Sequence, residues 1–367
     1  MSLPPDQFTP VNKDNGDTLA AELRLCMVSG VGPRMRKMLL ERFGSAANIF
    51  KAAPSEIREV DGVGPKLLRA LTAAEREIDV AKEIAYCREN QILLLLESAA
   101  EYPRILKEIH DPPGVLFVRG EVRTTDALAI AIVGTRHATA YGLAQAERLA
   151  SGLSHAGYTI ISGLARGIDA AAHNAAIKAG GRTLAVLGGG VMDIYPPEHV
   201  KLADQVMQHG AILSESHPLS PPLTGSFPQR NRIISGMSLG VIVVEASDRS
   251  GALISARHAM EQGREVFAVP GRVDSRNSRG CHRLIRDGAK LIETVDDVLE
   301  EFGPLVAAAP REDGREIRHP VELQLNEPET AVLTAIGVDP TSIDEVIAAT
   351  RLAVPQVLAT ISVLEMK

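Results

Sequence analysis

The sequence predicts an α/β protein whose main domain is a doubly wound parallel β-sheet covered by helices on both faces. Between residues 89 and 303, apolar runs rich in β-branched residues alternate with stretches whose apolar residues recur at helical spacing. Glycines follow several of these runs, as they do where a buried strand turns into a helix. Of the 367 residues, 45% are hydrophobic, so the chain can bury a sizeable core and is not predominantly disordered.

Composition excludes several classes of protein. No apolar run approaches the roughly 18–20 residues of a membrane-spanning helix, and the polar N-terminus lacks the apolar core of a signal peptide. We therefore expect a soluble, cytoplasmic protein with no membrane partner. Cys26, Cys87 and Cys281 are too widely spaced for a CxxC pair, and no HExxH motif occurs, so we predict neither a disulfide framework nor a metal site.

Charge is distributed unevenly along the chain. The formal net charge is −7, and residues 301–367 contribute 11 acidic against 5 basic side chains. Residues 225–290, in contrast, contain 11 basic side chains, ten of them arginine, against 6 acidic ones. The acidic balance of the whole chain therefore does not exclude an anionic partner, because the middle stretch is suited to face one.

The N-terminal region is predicted to be helical. Residues 1–17 lack a periodic apolar pattern and are expected to form a flexible leader. Residues 18–88 read as short helices that Gly-Val-Gly interrupts twice, at residues 30–32 and 62–64. This pattern indicates a helix-hairpin-helix, in which the helix after each turn offers free amides to an anion such as a phosphate. The alternative is that these are compact turns in a small helical packing domain.

The central domain is predicted to occupy residues 89–303. Its predicted strands span residues 92–96, 127–133, 158–162, 183–187, 211–215, 240–246, 265–269 and 290–292. Helices are predicted between the strands; one of them, before Gly157, has apolar residues at helical spacing.

The C-terminal region is predicted to be a linker followed by a small domain. Residues 304–325 are rich in alanine, proline and charge, as an exposed linker would be. Residues 326–367 predict three short helices with tight turns, which is typical of a helix-turn-helix. The third helix, residues 355–365, carries no arginine or lysine, so we expect it to contact protein and not to read bases in a DNA groove.

A ligand site is predicted at the carboxyl ends of the parallel strands, where open α/β sheets bind their ligands. Glycine-containing loops follow three successive strands there. They contribute the candidate residues Gly134, Thr135, Arg136, Ser162, Gly163, Arg166, Gly167, Gly188 and Gly189. Backbone amides of glycine loops approach phosphates closely, helix N-termini add positive dipole ends, and Arg136 and Arg166 add full charges. We therefore predict an anion-binding site at this edge of the sheet.

Missing motifs narrow the choice of anion. There is no GxxxxGK[ST], the first loop is not GxGxxG, and the second strand does not end in the carboxylate that would hold a ribose, so no nucleotide cofactor is predicted. The stretch 227–235 adds Phe227, Arg230, Asn231 and Arg232, and Tyr195 is a second aromatic near the loops. Arginines with aromatic faces suit single-stranded nucleic acid. The alternative is that Phe227 anchors the core and the arginines form a solvated helix face.

Two motifs could indicate an enzyme, and both favour a structural interpretation. The GxSxG at residues 236–240 precedes a strand, whereas a nucleophile elbow must follow one. Asp169 and His173 lie four residues apart on a predicted helix, and without a nucleophile such a pair is more often a structural hydrogen bond. We therefore predict no catalytic residue and no enzymatic activity.

Several longer motifs occur in a fixed order along the chain. They are GTR (134–136), SGLARGID (162–169), LGGG (187–190), IYPPEH (194–199), SFPQRNRIISGMS (226–238), VVEASDRSGALISA (243–256) and GREVFAVPG (263–271). Together they resemble the DNA-processing protein A family, DprA/Smf, over about residues 19–303 and 326–367. The resemblance implies an extended Rossmann domain, preceded by a SAM-like domain and followed by a winged-helix-like domain.

The resemblance also implies a function. Members of this family are non-enzymatic, homodimeric bacterial proteins that bind and protect single-stranded DNA and load RecA recombinase onto it during natural transformation. Family DNA contacts carried onto this chain are Arg136, the SGLARG loop and the FPQRNR stretch, and Lys201 is also assigned to the DNA-binding set. The RecA-contact surface and the dimer interface are not located by the sequence.

The chain departs from the family pattern at three places. His199 and His282 stand where the family usually has asparagine. The chain ends at Lys367, about where a winged helix would begin its β wing, so a truncated winged-helix-like domain is expected for residues 326–367.

Two rival functions remain. The lysine-decarboxylase-like phosphoribohydrolases share this type of sheet, but their PGGxGTxxE motif carries a catalytic glutamate that the matching turn here, residues 250–256, lacks. The second rival function is that of a generic protein-interaction scaffold.

Overall fold

The computed structural model describes residues 13–302, 309–310, 316–317, 327–336, 342–350 and 352–366. The predicted leader and linker lie largely outside these residues. One correction concerns the leader: the first helix begins at Lys13, so residues 13–17 are helical.

The elements follow in chain order. The helices are α1 Lys13–Met27, α2 Pro33–Phe43, α3 Ala46–Lys51, α4 Pro54–Arg58, α5 Pro65–Glu77, α6 Val80–Glu89, α7 Arg104–Lys107, α8 Ala140–His155, α9 Ile168–Lys178, α10 Val200–His209, α11 Ser226–Gly236, α12 Ala252–Glu261, α13 Arg279–Arg286, α14 Asp296–Phe302, α15 Glu327–Ile336, α16 Ile343–Thr350 and α17 Val354–Met366. The strands are β1 Leu93–Leu96, β2 Val115–Gly120, β3 Ala129–Val133, β4 Thr159–Ser162, β5 Thr183–Val186, β6 Gly210–Ser214, β7 Gly240–Val243, β8 Glu265–Ala268, β9 Lys290–Leu291, β10 Ala309–Pro310 and β11 Glu316–Ile317.

The predicted alternation of strands and helices is confirmed, with one correction to the sheet. It has nine strands in the order β1-β2-β6-β5-β4-β3-β7-β8-β9. From β6 to β9 in this order each strand is parallel to the next, but β2 is antiparallel to both β1 and β6. Strand β2 was not among the predicted strands. Its short apolar run lies between prolines and a glycine, and such a run indicates neither the partner strand nor the direction of pairing.

Each parallel strand divides its side chains between two cores. On β3, Ala129, Ala131 and Val133 pack with residues of α11, α12 and α13, whereas Ile130 and Ile132 pack with residues of α8 and α9. This division follows from the two-residue period of a strand. Helices cover both faces of the sheet. Its carboxyl edge is therefore formed by the loops after β3, β4 and β5.

The N-terminal helices form the two predicted hairpins and join the sheet. Both Gly-Val-Gly turns begin with a glycine of positive φ, 95° at Gly30 and 83° at Gly62. A shared cluster packs Leu23 of α1 with Phe117 of β2. The guanidinium of Arg36 on α2 also donates to Glu97, after β1, at 2.8 Å.

The C-terminal helices form a small unit of their own. Val332, Val346 and Val357, one from each of α15, α16 and α17, make its buried centre. The three helices predicted in this region are therefore present. Across the residues described, no helix has the length and apolar character needed to cross a membrane.

Candidate nucleic-acid interface

The loops after β3 and β4 pack backbone against backbone at the carboxyl edge. The Thr135 amide donates to the Glu245 carbonyl at 2.7 Å, and the Ile168 amide donates to the Thr135 carbonyl at 3.3 Å. Gly167 has φ 74°, and a Cβ there would collide with the Thr135 carbonyl. Glycine is therefore required at this position for the two loops to meet.

Four side chains form a continuous row above these loops. The Arg136 guanidinium carbon lies 5.2 Å from the centre of the Phe227 ring. The rings of Phe227 and Tyr195 are 5.9 Å apart and tilted by 50°. The Arg166 guanidinium carbon lies 5.9 Å from the Tyr195 ring. We call Arg136, Phe227, Tyr195 and Arg166 the arginine–aromatic row; both arginines are exposed, Tyr195 is 40% exposed and Phe227 is half-buried.

One residue that contacts the row, Glu198, was not among the residues predicted from the sequence. Glu198, from the IYPPEH motif, accepts a hydrogen bond from Arg166 Nε at 2.5 Å, and this bond lowers the pKa of the Glu198 carboxyl. Both side chains are about half exposed, so the pair is weak and a phosphate can compete for Arg166.

Arg230 lies beneath the row and not on its surface. It is 5% exposed, and its guanidinium donates to the Val186 carbonyl. Burial lowers the pKa of Arg230 to about 10, although the nearby Asp169 carboxylate opposes this shift. The side chain still lines the shallow depression below the row. The prediction that it offers an accessible charge needs correction, since Arg230 supplies positive potential from below.

The loop after β4 is shaped around Arg230. A Cβ on Gly163 would occupy the position of the Arg230 guanidinium. The Asp169 carboxylate accepts from the amides of Gly163 at 3.1 Å and Ala165 at 3.3 Å, and burial raises its pKa. Ser162 is buried and donates to the Ile132 carbonyl at 2.6 Å, so its predicted role as a DNA contact is wrong.

Arg232 is a second correction. Only 3% of it is exposed, and it forms ion pairs with Asp111 at 3.1 Å and Glu215 at 2.6 Å. Its charge is neutralised inside the protein. Asn231 donates to the Gly251 carbonyl at 3.3 Å and ties α11 to the loop before α12.

The third glycine loop serves close packing. A Cβ on Gly188 would lie 2.9 Å from the Phe227 ring, and one on Gly189 would lie 3.0 Å from the Pro222 backbone nitrogen. The segment 217–222 covers this loop, and the Gly190 amide donates to the Ser220 carbonyl at 2.8 Å. Gly188 and Gly189 are buried and position Phe227, so the prediction that they cradle phosphates is wrong.

The helix N-termini behind the loops are occupied by carboxylates of the protein itself. The Thr139 amide and hydroxyl donate to Glu245 at 2.9 and 2.7 Å at the start of α8. Asp169, the second residue of α9, places its carboxylate in the first turn of that helix. These dipoles are therefore compensated internally. The positive charge available at this edge is that of exposed side chains, with Lys201 exposed in the first turn of α10.

Histidines near the site have structural roles. His199, one of the departures from the family pattern, bonds through Nδ1 to the carbonyl of Leu164, which has a positive φ of 57°. The Thr183 hydroxyl donates to a backbone carbonyl, so His173 Nδ1 donates to Thr183 Oγ1 at 2.7 Å. Burial lowers the pKa of His173 to about 3. The structural interpretation of Asp169 and His173 is thus supported by their separate partners.

Within the described parts of the chain, no group of three or more histidine, cysteine, aspartate and glutamate side chains is arranged to hold a metal ion.

Comparison with known families assigns all three regions. Residues 93–303 match the model of the DNA recombination-mediator protein A family, residues 317–367 the DprA winged helix domain, and residues 22–77 a SAM-like helix-hairpin-helix tandem. These matches confirm the predicted fold class.

Individual relatives agree with these matches. The chain is 34% identical to Protein Smf of Synechocystis over 92% of both chains, and 45% identical to DNA processing protein DprA of Bacillus subtilis over 66% of this chain and 78% of that one. The X-ray structure of DprA from Streptococcus pneumoniae superposes with a TM-score of 0.67 at 36% identity, covering 77% of this chain and 97% of that one.

A second solved structure is DprA of Helicobacter pylori, which was described for its single-stranded DNA binding mode. It is 31% identical, with a TM-score of 0.52, and the match covers 57% of this chain and 95% of that one. With one domain model spanning more than half of the sequence and a curated relative matched almost end to end, the chain belongs to the DNA recombination-mediator protein A family, DprA/Smf.

Proposed function

We propose that this protein binds single-stranded DNA at the arginine–aromatic row and acts in DNA processing and recombination. The observation that carries the proposal is the alternation of exposed cation, aromatic ring, aromatic ring and exposed cation along one edge of the sheet. Phosphates can pair with Arg136 and Arg166 at the two ends, while bases stack on Tyr195 and Phe227 between them. The related Helicobacter pylori protein, described for binding single-stranded DNA, supports this assignment.

The row favours single strands over duplex. Stacking on an aromatic ring requires an unpaired base, and each stacked base contributes about 1–3 kcal/mol. Phosphate contacts and stacking carry little sequence information, so binding should be tolerant of sequence and sensitive to salt. The buried Arg230, which lines the depression below the row, adds positive potential there.

Finer parts of the proposal rest on the family resemblance. We propose that the protein is a non-enzymatic homodimer in the bacterial cytoplasm that protects single-stranded DNA and loads RecA onto it during natural transformation. We further propose the division into a helical domain at residues 18–88, a DNA-binding Rossmann domain at 89–303 and a winged-helix-like domain at 326–367.

The test is fluorescence anisotropy of a labelled oligothymidine across a salt series, with unlabelled duplex as competitor. Arg136→Ala should weaken binding about tenfold, or about 1.4 kcal/mol, and should lower the slope of log affinity against log salt by about 0.7, the value for one phosphate contact. Arg88→Ala is the matched control, because Arg88 is exposed at the C-terminal end of α6, before the amino end of β1. Displacement by duplex, or an unchanged Arg136→Ala slope, would contradict the proposal.

A further inference from the structure

A cavity lies where the two Gly-Val-Gly turns of the helical region approach the first turn of α11. Its volume is about 440 Å³, within the range of clefts that hold small ligands, about 300–1,000 Å³. The proposed function uses none of its residues. We call it the hairpin cavity; its lining includes Arg34, Met35, Met38, Asp61, Gly62 and Gln229.

Both hairpins contribute to the hairpin cavity. Arg34 and Met35 lie at the start of α2, directly after the first turn, whereas Asp61 and Gly62 lie at the beginning of the second turn. A Cβ on Gly62 would lie 3.0 Å from Met35 Cε, so glycine at this position lets the two turns approach each other. The repeated motif thus brings residues of two separate turns to one site.

Charges of opposite sign line this cavity without pairing. Arg34 and Asp61 are both exposed, and among the described residues neither side chain forms an ion pair or a hydrogen bond. The side-chain amide of Gln229 is also exposed and has no hydrogen-bond partner within the same residues. A ligand that matches these groups carries an anion for Arg34 and N–H donors for Asp61.

Part of the lining is apolar. Met35 and Met38 lie three residues apart on α2, so they are neighbours on one side of that helix, and both are half-buried. Thioether groups are polarizable and make favourable contacts with aromatic rings. A flat ring that bears N–H groups and is joined to a phosphate therefore matches the whole lining, and a nucleotide has this chemistry.

The hairpin cavity adjoins the arginine–aromatic row at the start of α11. Gln229 follows Phe227 by two residues, a rise of about 3 Å along the helix, and Pro228 between them is exposed. Residues two apart point to nearly opposite sides of a helix, so a strand that reaches both crosses the first turn of α11 at Pro228. A nucleotide close to one stacked on Phe227 can therefore enter the cavity.

We propose that the hairpin cavity takes one unpaired nucleotide of the strand bound at the row, with its phosphate at Arg34 and the edge of its base at Asp61. This inference rests on the proposed function and deepens it: the row is tolerant of sequence, and the cavity adds a base preference at one position. A carboxylate accepts from the exocyclic amino group of cytosine, whereas thymine has a carbonyl oxygen at that place. The cavity should therefore prefer cytosine to thymine.

The test compares base preference in matched variants. Wild type, Asp61→Ala and Glu75→Ala are titrated by fluorescence anisotropy with labelled oligodeoxycytidine and oligothymidine of equal length, about 20 nucleotides. Glu75→Ala is the control, because Glu75 is exposed in the last turn of α5 and its loss changes the net charge equally. Wild type and the control should bind oligodeoxycytidine about tenfold more tightly than oligothymidine, and Asp61→Ala should bind the two strands equally.

A second pair of variants tests the phosphate contact. Arg34→Gln should lower the slope of log affinity against log salt by about 0.7 for both strands, the value for one phosphate. Arg76→Gln removes an exposed cation from the last turn of α5 and should leave the slope unchanged.

The outcomes separate this inference from the proposed function. If Asp61→Ala keeps the base preference of wild type, or if wild type has none, no base is read in the cavity and the inference is overturned while the row stands. An unchanged salt slope in Arg34→Gln overturns it as well. If Arg136→Ala weakens the binding of neither strand, the proposed function itself fails.

Discussion

Gly163 shows how one absent Cβ positions the site. The guanidinium of Arg230 occupies the space a side chain would take, and it is held there by the Val186 carbonyl and the Asp169 charge. The loop that carries Arg166 therefore rests on a buried cation. Both the glycine and the arginine are buried at the floor of the depression below the row, and both determine where the exposed row lies.

Gly163→Ala should destabilise the fold. Its methyl group would collide with a buried guanidinium that cannot move away, and overpacking of this kind typically costs about 1–3 kcal/mol. Urea unfolding measures the loss. The control is Gly251→Ala, where a Cβ would meet nothing within 4 Å, and we expect it to change stability by less than about 0.5 kcal/mol. Equal stability of the two variants would show that the Arg230 packing is not rigid.

His173 should make stability depend on pH. Its folded pKa is about 3 and its ordinary value is 6.5, so the unfolded chain binds the extra proton as the pH falls between these values. The contribution is complete above about pH 6.5 and is lost toward pH 3, at up to about 1.4 kcal/mol per pH unit. Urea unfolding at pH 7.5 and 5.5 should show a loss about 1.4 kcal/mol larger in wild type than in His173→Gln. Equal losses would mean that His173 is protonated in the folded protein.

Among the helices and strands, α11 contributes both to the exposed row and to the buried core. Its start carries Phe227 into the row, whereas Arg230 and all residues from Arg232 to Gly236 are buried. Arg232 is reached there by Asp111 and Glu215, which come from the chain before β2 and after β6. The helix is thus locked into the sheet by a buried charge cluster, and this lock fixes the position of Phe227.

Arg232→Gln should lower the free energy of unfolding by about 3 kcal/mol, because it leaves two carboxylates facing each other without a cation. Arg232→Gln/Glu215→Gln should recover part of the loss, since one of those carboxylates is removed. Urea unfolding provides both values. A contrary result would be a stable Arg232→Gln protein whose salt slope for single-stranded DNA falls by about 0.7, which would make Arg232 a phosphate contact.

Helix α11 and the loops beside it show which features of the site can be predicted from the sequence and which cannot. The glycine loops, Arg136, Arg166 and the two aromatics could be placed at one edge because the positions of the strands and of the loops after them follow from local pattern. The burial of Arg232 could not, because it depends on Asp111, 121 positions away. Likewise, Gly188 and Gly189 look like a phosphate loop until the segment 217–222 is seen to cover them. Contacts distant in sequence decided each of these cases.

At the scale of the whole molecule, the helical N-terminal region and the sheet share a core. Cys87 of α6 is buried in the cluster that joins them, and Cys281 is buried in the core of the sheet domain. Arg36 of α2 reinforces the joint through its ion pair with Glu97, which follows β1. These contacts predict that the two regions unfold together.

Thiol labelling tests this cooperativity. Burial raises the pKa of both Cys87 and Cys281 to about 12, so neither thiol should react in the folded protein. In Cys26→Ser/Cys281→Ser and Cys26→Ser/Cys87→Ser proteins, the remaining thiol should become reactive at the same urea concentration. If Cys87 reacts at a clearly lower concentration than Cys281, the helical region opens on its own and the joint is weak.

Stacking of DNA bases on the arginine–aromatic row has a direct optical test. The chain contains no tryptophan, so Phe227→Trp places a single reporter in the row, and Tyr86→Trp places one on α6 as a control. Titration with oligothymidine should quench the emission of the Phe227→Trp protein at the concentrations where anisotropy reports binding, and should leave the Tyr86→Trp protein unchanged. Binding without any change in the Phe227→Trp emission would show that the strand lies elsewhere on the protein and that bases do not stack on the row.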